Sequence, residues 1–247
     1  MAKRLFDIIG SAAGLVLLSP LFLIAALGIG LCGRGPIFYR SFRIGLHGKA
    51  FKMHKFRTMR VSRGCDGSPV TCPNDPRVFW FGSLLRRLKI DELPQFWDVL
   101  RGKMSIVGPR PEDPRIVREH YTPEDWQTLS VRPGLTSPAS LYDYTHGEKI
   151  LAQGDPDRVY LEKLLPTKLA LERLYVREAS FSYDVQIILR TAGVIIRVAL
   201  GKRDFPEPPE MQRARPCLPA GEQWPVSERA DTIGNGHAFP VCLKSAP

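Results

Sequence analysis

The chain has 247 residues, of which 44% are hydrophobic and 24% charged, and its formal net charge is +10. These values exclude a collagen-like, disulfide-scaffold or wholly disordered protein and leave room for one domain with a sizeable core. The excess of cations indicates an anionic partner, and nucleic acid, anionic lipid and phosphorylated substrates all meet that requirement. The five scattered cysteines include no Cys-x-x-Cys pair, which favours a reducing compartment without a zinc site.

An apolar segment lies near the N-terminus, where no charged residue occurs from Ile8 to Gly33. As a helix, this segment would extend about 39 Å, more than the roughly 30 Å hydrocarbon core of a bilayer. Asp7 at its start, its length and the downstream cations argue against a secretory signal. Length alone therefore permits a membrane span.

The flanks and the centre of this segment favour a different topology. Cations stand on both sides: Lys3 and Arg4 before it, and Arg34, Arg40, Arg43 and Lys49 after it. Because cytoplasmic flanks retain Lys and Arg, both ends are expected on the same side. Ser19-Pro20 lies near the centre, where proline removes a helical hydrogen bond and the serine hydroxyl can satisfy the backbone. We expect a re-entrant helix broken there; a spanning helix with a mild kink is the alternative.

Residues 36–59 have the pattern of a β-hairpin with a glycine-containing turn. In its second strand, a period of two places Phe51, Met53, Lys55 and Arg57 on one face. If the apolar pair faces the core, Lys55 is at least partly buried and requires an anion; a bulge that returns it to solvent is the alternative. The turn-rich residues 60–74 then predict a mobile loop.

Helical patterns occupy much of the remaining chain. The predicted helices cover about 76–88, 92–101, 123–130, a segment from Pro156 interrupted at Pro166, and 183–200. The last is apolar except for a strip with Gln186, Arg190 and Arg197, which fits an amphipathic helix in a lipid headgroup layer or a buried helix with an arginine edge. Residues 204–247 are Pro-rich and aperiodic, which predicts a disordered tail.

The acidic pair Asp91-Glu92 is the strongest candidate for chemistry. It opens a predicted helix whose first turn contains Pro94. A carboxylate at this end of a helix meets free amides and the positive end of the dipole, which favour its ionised, nucleophilic form. A plain helix cap is the alternative, because aspartate caps are frequent.

The cations that accompany this pair argue against a plain cap. Arg86 and Arg87 directly precede it, and Lys55 lies on the predicted strand. Arg110 stands between two prolines and Arg132 precedes one, so both backbones are restricted and both guanidinium groups are partly preplaced for phosphate. Together these residues predict an anion-binding centre.

The combined motifs resemble those of a known family. The motifs that carry the resemblance are Arg4-Leu-Phe-Asp, Ser19-Pro20, Lys55-Phe-Arg-Thr-Met, Leu88-Lys-Ile-Asp-Glu-Leu-Pro-Gln, Met104-Ser-Ile-Val-Gly-Pro-Arg-Pro, Val131-Arg-Pro-Gly-Leu-Thr and Tyr175-Val with Ser180-Phe-Ser-Tyr-Asp. Through these motifs, the chain is similar from residue 1 to about 203 to the bacterial sugar transferases, which are monotopic polyprenyl-phosphate phosphoglycosyltransferases that start glycan assembly on a lipid carrier.

The patterns and the resemblance together predict an α+β, mostly helical fold. Its parts are an N-terminal re-entrant membrane helix hairpin, a small β-hairpin and amphipathic interfacial helices. The expected organisation is a re-entrant membrane helix at 1–34, a cytoplasmic catalytic domain with interfacial helices at 35–203, and the disordered tail at 204–247.

The resemblance implies an undecaprenyl-phosphate sugar phosphotransferase that transfers a sugar 1-phosphate from a UDP-sugar to undecaprenyl phosphate and releases UMP. It assigns Asp91 as the nucleophile that holds the phosphosugar covalently and Glu92 as the ligand of Mg²⁺. Ser19-Pro20 falls on the family's re-entrant break. The supporting cations around the pair and the phosphates would be Lys55, Arg86, Arg110 and Arg132.

The resemblance also implies a monotopic protein on the cytoplasmic face of the bacterial inner membrane, in contact with membrane lipids, and it is compatible with a homodimer. One stretch departs from the family pattern. After Val131-Arg-Pro-Gly-Leu-Thr, many members read Gly-Trp-Ala-Gln-Val-Asn-Gly-Arg, whereas this chain reads Ser137-Pro-Ala-Ser-Leu-Tyr-Asp-Tyr. The contacts to the nucleotide sugar are therefore expected to differ from the common pattern.

Two other function classes compete with this interpretation. A non-enzymatic, membrane-anchored basic scaffold would recruit nucleic acid or a partner through its charge. The sequence lacks nucleic-acid motifs and aromatic stacking platforms, so we expect no nucleic-acid partner. A membrane-spanning hydrolase would use Asp91 as a base and release inorganic phosphate instead of UMP.

Overall fold

The computed structural model describes residues 2–33, 35–60 and 75–214. Nearly all of the predicted loop at 60–74 and residues 215–247 of the predicted tail lie outside this part of the chain. In chain order, the helices and strands are α1 (Ala2–Leu17), α2 (Ser19–Leu31), β1 (Phe38–Ile44), β2 (Ala50–Phe56), α3 (Trp80–Arg87), α4 (Gln95–Leu100), β3 (Ser105–Val107), α5 (Pro114–His120), β4 (Gly134–Thr136), α6 (Pro138–Tyr142), α7 (Glu148–Leu151), α8 (Pro156–Val159), α9 (Leu165–Glu178), α10 (Phe181–Ala199) and α11 (Met211–Ala214).

Short turns of other helix types connect several of these elements. They are 3₁₀ turns at Leu46–Gly48, Ile90–Glu92 and Asp125–Ser130, and π-helical turns at Asp143–Gly147 and Tyr160–Leu164. The last of these precedes Pro166, which has no N–H to donate to the preceding turn, so the predicted interruption of this helix takes the form of a π turn. The described residues are mostly helical with a small antiparallel hairpin, which confirms the predicted α+β class.

The N-terminal helices α1 and α2 form a bent pair. The angle between them is 59°, and among the described residues no single helix is long and apolar enough to cross a membrane. The bend follows Leu18 and precedes Pro20, which cannot donate to the carbonyl one turn earlier. Large apolar side chains are exposed along both helices, including Ile9, Val16, Leu17, Leu23, Ile24, Leu27 and Leu31.

Both ends of this pair are fixed to the rest of the molecule by polar contacts. Near the start of α1, buried Asp7 accepts hydrogen bonds from the Ile106 N–H at 2.9 Å and the Ser105 hydroxyl at 3.1 Å. Past the end of α2, Arg57 Nη2 donates to the carbonyl of Gly33 at 2.8 Å. Such a cation stabilises the free carbonyls at a helix C-terminus.

Strand β2 of the hairpin packs on both faces, whereas most of β1 is exposed. Met53 packs in a cluster with Val99, Met104 and Tyr175, whereas Phe56, on the opposite face, packs with residues of α2. Lys55 shares the face of Met53, and 20% of its side chain is exposed. The prediction that Lys55 is partly buried is therefore confirmed.

Two glycines hold the motifs around Arg110 and Arg132 together. Strands β3 and β4 are parallel, and Gly108 N donates to the Thr136 carbonyl at 3.0 Å. A Cβ on Gly134 would lie only 2.1 Å from the backbone nitrogen of Gly108. Because no larger residue fits this crossing, the two loops approach each other through their backbones.

The C-terminal elements require a correction. Helix α10 buries Ile187 in the core and exposes Leu189 and Ile196. One side of this helix therefore packs against the core, while apolar side chains on it remain exposed. The predicted tail begins too early, because Glu210 is 1% exposed and Met211 is 4% exposed. Helix α11 packs against α6 and α9, a long-range contact that aperiodic local sequence does not reveal.

Candidate active site

The acidic pair lies in the 3₁₀ turn between α3 and α4, not in the first turn of a helix as predicted. Helix α4 begins only at Gln95. Asp91 and Glu92 are each 6% exposed. The hairpin reaches this turn because Asp98, fully buried in α4, accepts hydrogen bonds from the backbone N–H of His54 and contacts its ring, both at 2.9 Å. This contact places the neighbouring Lys55 beside the pair.

Three cations converge on the Glu92 carboxylate. Its Oε1 lies 3.0 Å from Lys55 Nζ, 2.5 Å from Arg110 Nη2 and 3.7 Å from Lys89 Nζ. Burial opposes ionisation, but the charges of Arg110, Lys55 and Lys89 outweigh it and hold the pKa of Glu92 well below its usual range. In turn, the charge of Glu92 raises the pKa of Arg110, whereas burial lowers that of Lys55.

Asp91 differs from its neighbour, because its Oδ1 is buried without a hydrogen-bond partner among the described residues. Burial and the charge of Glu92 raise its pKa, while Lys55, Lys89 and Arg86 oppose that shift. The expectation that the helix end favours the ionised form of Asp91 is therefore not met: the net shift of its pKa is upward, and the nearby cations only reduce that shift. An unpaired buried oxygen among cations is available to a ligand.

Of the remaining predicted cations, the structure brings Arg86 near the pair but not Arg132. Arg86 Nε donates to the Thr58 hydroxyl at 3.0 Å, and the Asp91 charge acts on its guanidinium group. Arg132 is exposed, and its Nε donates to the carbonyl of Gly102 at 3.0 Å. Gly102 follows α4, whereas the acidic pair precedes α4. Arg132 therefore lies at the opposite end of this helix from the acidic pair. The prediction that Arg132 supports the pair is not supported by this placement.

The structure adds Glu172 to the surroundings of Arg110. Its Oε1 accepts hydrogen bonds from the Arg110 backbone N–H at 2.9 Å and the Ser137 hydroxyl at 2.8 Å. Burial raises the pKa of Glu172 to about 7. No local pattern identifies this carboxylate, because it lies on α9, far from both partners in the sequence.

Lys89 and Tyr144 were also missed by the sequence analysis. Lys89 Nζ lies 4.9 Å from the centroid of the Tyr144 ring, and the Tyr144 hydroxyl donates to the carbonyl of Arg87. Burial raises the pKa of Tyr144 to about 12, and the charges of Asp91 and Glu92 act in the same direction. Only two features of the sequence could have indicated these residues. Lys89 lies beside the acidic pair, and Tyr144 lies in Ser137–Tyr144, the stretch that differs from the family pattern.

The acidic pair fits one mode of magnesium binding. Within the residues that the structure describes, no group of three or more His, Cys, Asp or Glu side chains could hold a metal ion. Mg²⁺ is commonly held by one or two carboxylates together with substrate phosphates, and it retains several waters. Glu92 supplies the one carboxylate that this mode requires, which leaves Asp91 Oδ1 available as a nucleophile.

The comparisons with known proteins agree with the sequence motifs. Residues 1–198 match the family described as "Bacterial sugar transferase". The exopolysaccharide production protein PSS of Rhizobium leguminosarum bv. phaseoli is 37% identical over 207 residues, which cover 81% of this chain and 96% of that protein.

Two longer relatives are also similar. The UDP-glucose:undecaprenyl-phosphate glucose-1-phosphate transferase of Klebsiella pneumoniae is 36% identical over 76% of this chain and 39% of its own length. The UDP-N-acetylgalactosamine-undecaprenyl-phosphate N-acetylgalactosaminephosphotransferase of Aeromonas hydrophila is 33% identical over 78% of this chain and 43% of its own length. This chain thus spans less than half of either relative. The predicted resemblance is confirmed, and the chain belongs to the bacterial sugar transferase family.

Proposed function

We propose that the protein transfers a sugar 1-phosphate from a UDP-sugar to undecaprenyl phosphate and releases UMP. The names of the Klebsiella and Aeromonas relatives support the donor and acceptor classes. The observation that carries the proposal is the buried Oδ1 of Asp91, which has no hydrogen-bond partner in the described part of the chain and lies beside cations that converge on Glu92. A nucleophile would thereby lie directly beside an anion-binding site.

The proposed reaction has two displacements at the same phosphorus. First, Asp91 Oδ1 attacks the phosphorus that carries the sugar; an aspartyl–phosphosugar bond forms, the bond to the bridging oxygen breaks, and UMP leaves with that oxygen. Next, a phosphate oxygen of undecaprenyl phosphate attacks this phosphorus and the aspartyl bond breaks. The products are the diphosphate-linked lipid and free Asp91.

The cations near the pair would stabilise negative charge on the diphosphate. In the absence of substrate, Lys55 and Arg110 both pair with the single carboxylate of Glu92. A diphosphate brings further oxygens to the same groups, and preplaced cations stabilise charge in phosphoryl transfer. The Gly108–Gly134 crossing and Glu172 hold the Arg110 backbone, so little reorganisation is required there.

Glu92, together with the substrate phosphates, would hold Mg²⁺ when substrate is present. The ion would neutralise diphosphate oxygens and assist departure of UMP.

We also propose a monotopic arrangement at the cytoplasmic face of the inner membrane, with α1 and α2 as a re-entrant hairpin. The 59° bend and the exposed apolar side chains support it. Further support comes from Asp7 and Arg57, which attach the two ends of the pair to one body. A straight span would separate these ends by the membrane.

Cysteine labelling tests this topology. Single cysteines at positions 2 and 36, each in a variant from which all five native cysteines have been removed, should resist an impermeant thiol reagent in intact cells and react after permeabilisation. Reaction of one position alone in intact cells would establish a span.

The activity is tested by incubating the protein with a panel of UDP-sugars, with and without undecaprenyl phosphate. We expect UMP release with at least one sugar; inorganic phosphate would indicate a hydrolase, and no product with any sugar would favour a scaffold. With the acceptor omitted, the intact mass should increase by one sugar phosphate. The Asp91→Asn variant is the control, since its amide cannot form the bond.

A further inference from the structure

Lys89 has an unusual backbone conformation directly before the acidic pair. Its φ is +56°, and His47 is the only other non-glycine residue with positive φ in the described part of the chain. A side chain with a Cβ is disfavoured in this left-handed region, and the position after a helix is typically occupied by glycine. A lysine here carries conformational strain of the kind that accumulates at functional sites.

The Lys89 side chain is held between an aromatic ring and a carboxylate. Only 26% of it is exposed, and its Nζ lies 3.7 Å from Glu92 Oε1 and 4.9 Å from the Tyr144 ring centroid. The Tyr144 hydroxyl donates to the carbonyl of Arg87, which fixes the ring against the end of α3. The ring face attracts the ammonium group and restricts its position.

We infer that Lys89 binds the donor diphosphate alongside Lys55 and Arg110, and that Tyr144 is the positioning residue that keeps Lys89 in place. This inference rests on the proposed function. The three cations approach the same oxygen of Glu92. Even with Asp91 ionised, positive groups outnumber carboxylates in the cluster, and a diphosphate supplies the missing negative charge.

The stretch Ser137–Tyr144 is compatible with this assignment. Tyr144 is the last residue of this stretch, in which the contacts to the nucleotide sugar are expected to differ. In this chain the residue is aromatic, and the cation beside it comes from Lys89 on a different segment.

The Lys89→Gly variant separates a binding role from a structural one. Glycine removes the cation and also relieves the left-handed strain, so the melting temperature should not fall. We expect kcat/KM for the UDP-sugar to fall roughly tenfold or more, mainly through KM, and UDP to inhibit correspondingly less well. His47→Gly is the matched control: it relieves the same kind of strain and should leave both kinetic constants unchanged.

Second variants keep the test decisive. Asparagine also tolerates the left-handed region, so Lys89→Asn should reproduce the kinetic loss. Lys89→Arg keeps the positive charge and should retain most activity. Tyr144→Leu should weaken donor binding in the wild-type background and add nothing to Lys89→Gly. Normal donor kinetics in both neutral variants of Lys89, or a full additional loss from Tyr144→Leu, would refute the inference. An inactive wild type would instead refute the proposed function.

Discussion

Two buried clusters of charged side chains contain similar residue types, but they differ in how many of their carboxylate oxygens have hydrogen-bond partners among the described residues. Around Glu112, the Tyr160 hydroxyl donates at 2.6 Å and Lys168 Nζ at 3.3 Å to Oε2, and the Asp113 N–H donates at 3.1 Å to Oε1. Burial opposes ionisation, but Lys168 and Arg43 lower the pKa of Glu112 to about 2. Both oxygens of this carboxylate are therefore satisfied.

The cluster around the acidic pair is incomplete. Glu92 attracts several cations, whereas Asp91 Oδ1 is buried without a partner in the described residues. A fully satisfied buried network stabilises one structure, while unsatisfied groups with shifted pKa values mark sites that await a ligand. The two clusters should therefore respond oppositely to substitution: one in stability and the other in activity.

The largest expected effect is that of Asp91→Asn. The amide retains the shape of the side chain but cannot attack phosphorus, so UMP release should fall by roughly 10³-fold or more. Stability should be unchanged or increased, because a buried carboxylate with an unsatisfied oxygen is replaced by a neutral group. Denaturant unfolding and UMP assays on the same preparation would check both; a normal rate would eliminate the covalent mechanism.

Lys168→Met should have the reverse effect. It leaves Glu112 without its strongest cation, which should lower the free energy of unfolding by about 3 kcal/mol. The folded fraction should retain its turnover rate. If Lys168→Met lost turnover as well as stability, the proposed difference in role between the two clusters would be wrong.

The same cluster predicts a pH dependence of stability. Because the pKa of Glu112 is lower when folded, about 2, than its ordinary value of 4.5, its contribution is present above pH 4.5 and is lost as the pH falls toward 2. Removing Lys168 raises the folded pKa, so Lys168→Met should show less of this acid-dependent loss. Urea unfolding curves of both proteins between pH 2 and about 6 would measure it.

Glu92→Gln should have a smaller kinetic effect than Asp91→Asn, on the order of 100-fold, because it weakens metal binding but spares the nucleophile. Excess chelator should inhibit the wild-type enzyme, and Mg²⁺ should restore activity. Full activity in excess EDTA would argue against a magnesium requirement.

The smallest effect concerns the C-terminal segment. Glu210 pairs with Arg190 and accepts a hydrogen bond from Tyr183 at 2.8 Å, and Met211 is buried. Truncation after Arg203 should therefore reduce stability by about 2 kcal/mol, or roughly 4–8 °C in Tm.

Truncation after Ala214 is the matched control. It preserves these contacts and should leave Tm and turnover unchanged. Equal melting temperatures for the two truncations would show that residues 204–214 contribute nothing to the fold.

The placement of Lys55 shows how much local pattern determines. The period of two assigned it to the face of Met53, and burial on that face required an anion. The acidic pair, the proline-framed Arg110 and the family were also evident from sequence, because each depends on adjacent residues. The anion itself, Glu92, is 37 positions away, and only the packing of β2 beside α4 identifies it.

Tertiary structure decided which of the cations face the pair. Arg110 and Arg132 have the same kind of proline-restricted backbone, yet one contacts Glu92 and the other lies near Gly102. Lys89 reaches the cluster because its backbone is left-handed and Tyr144, from a distant segment, lies beside it. The sequence by itself determined the local chemistry and the family; the fold determined distances and burial, on which electrostatic interactions depend.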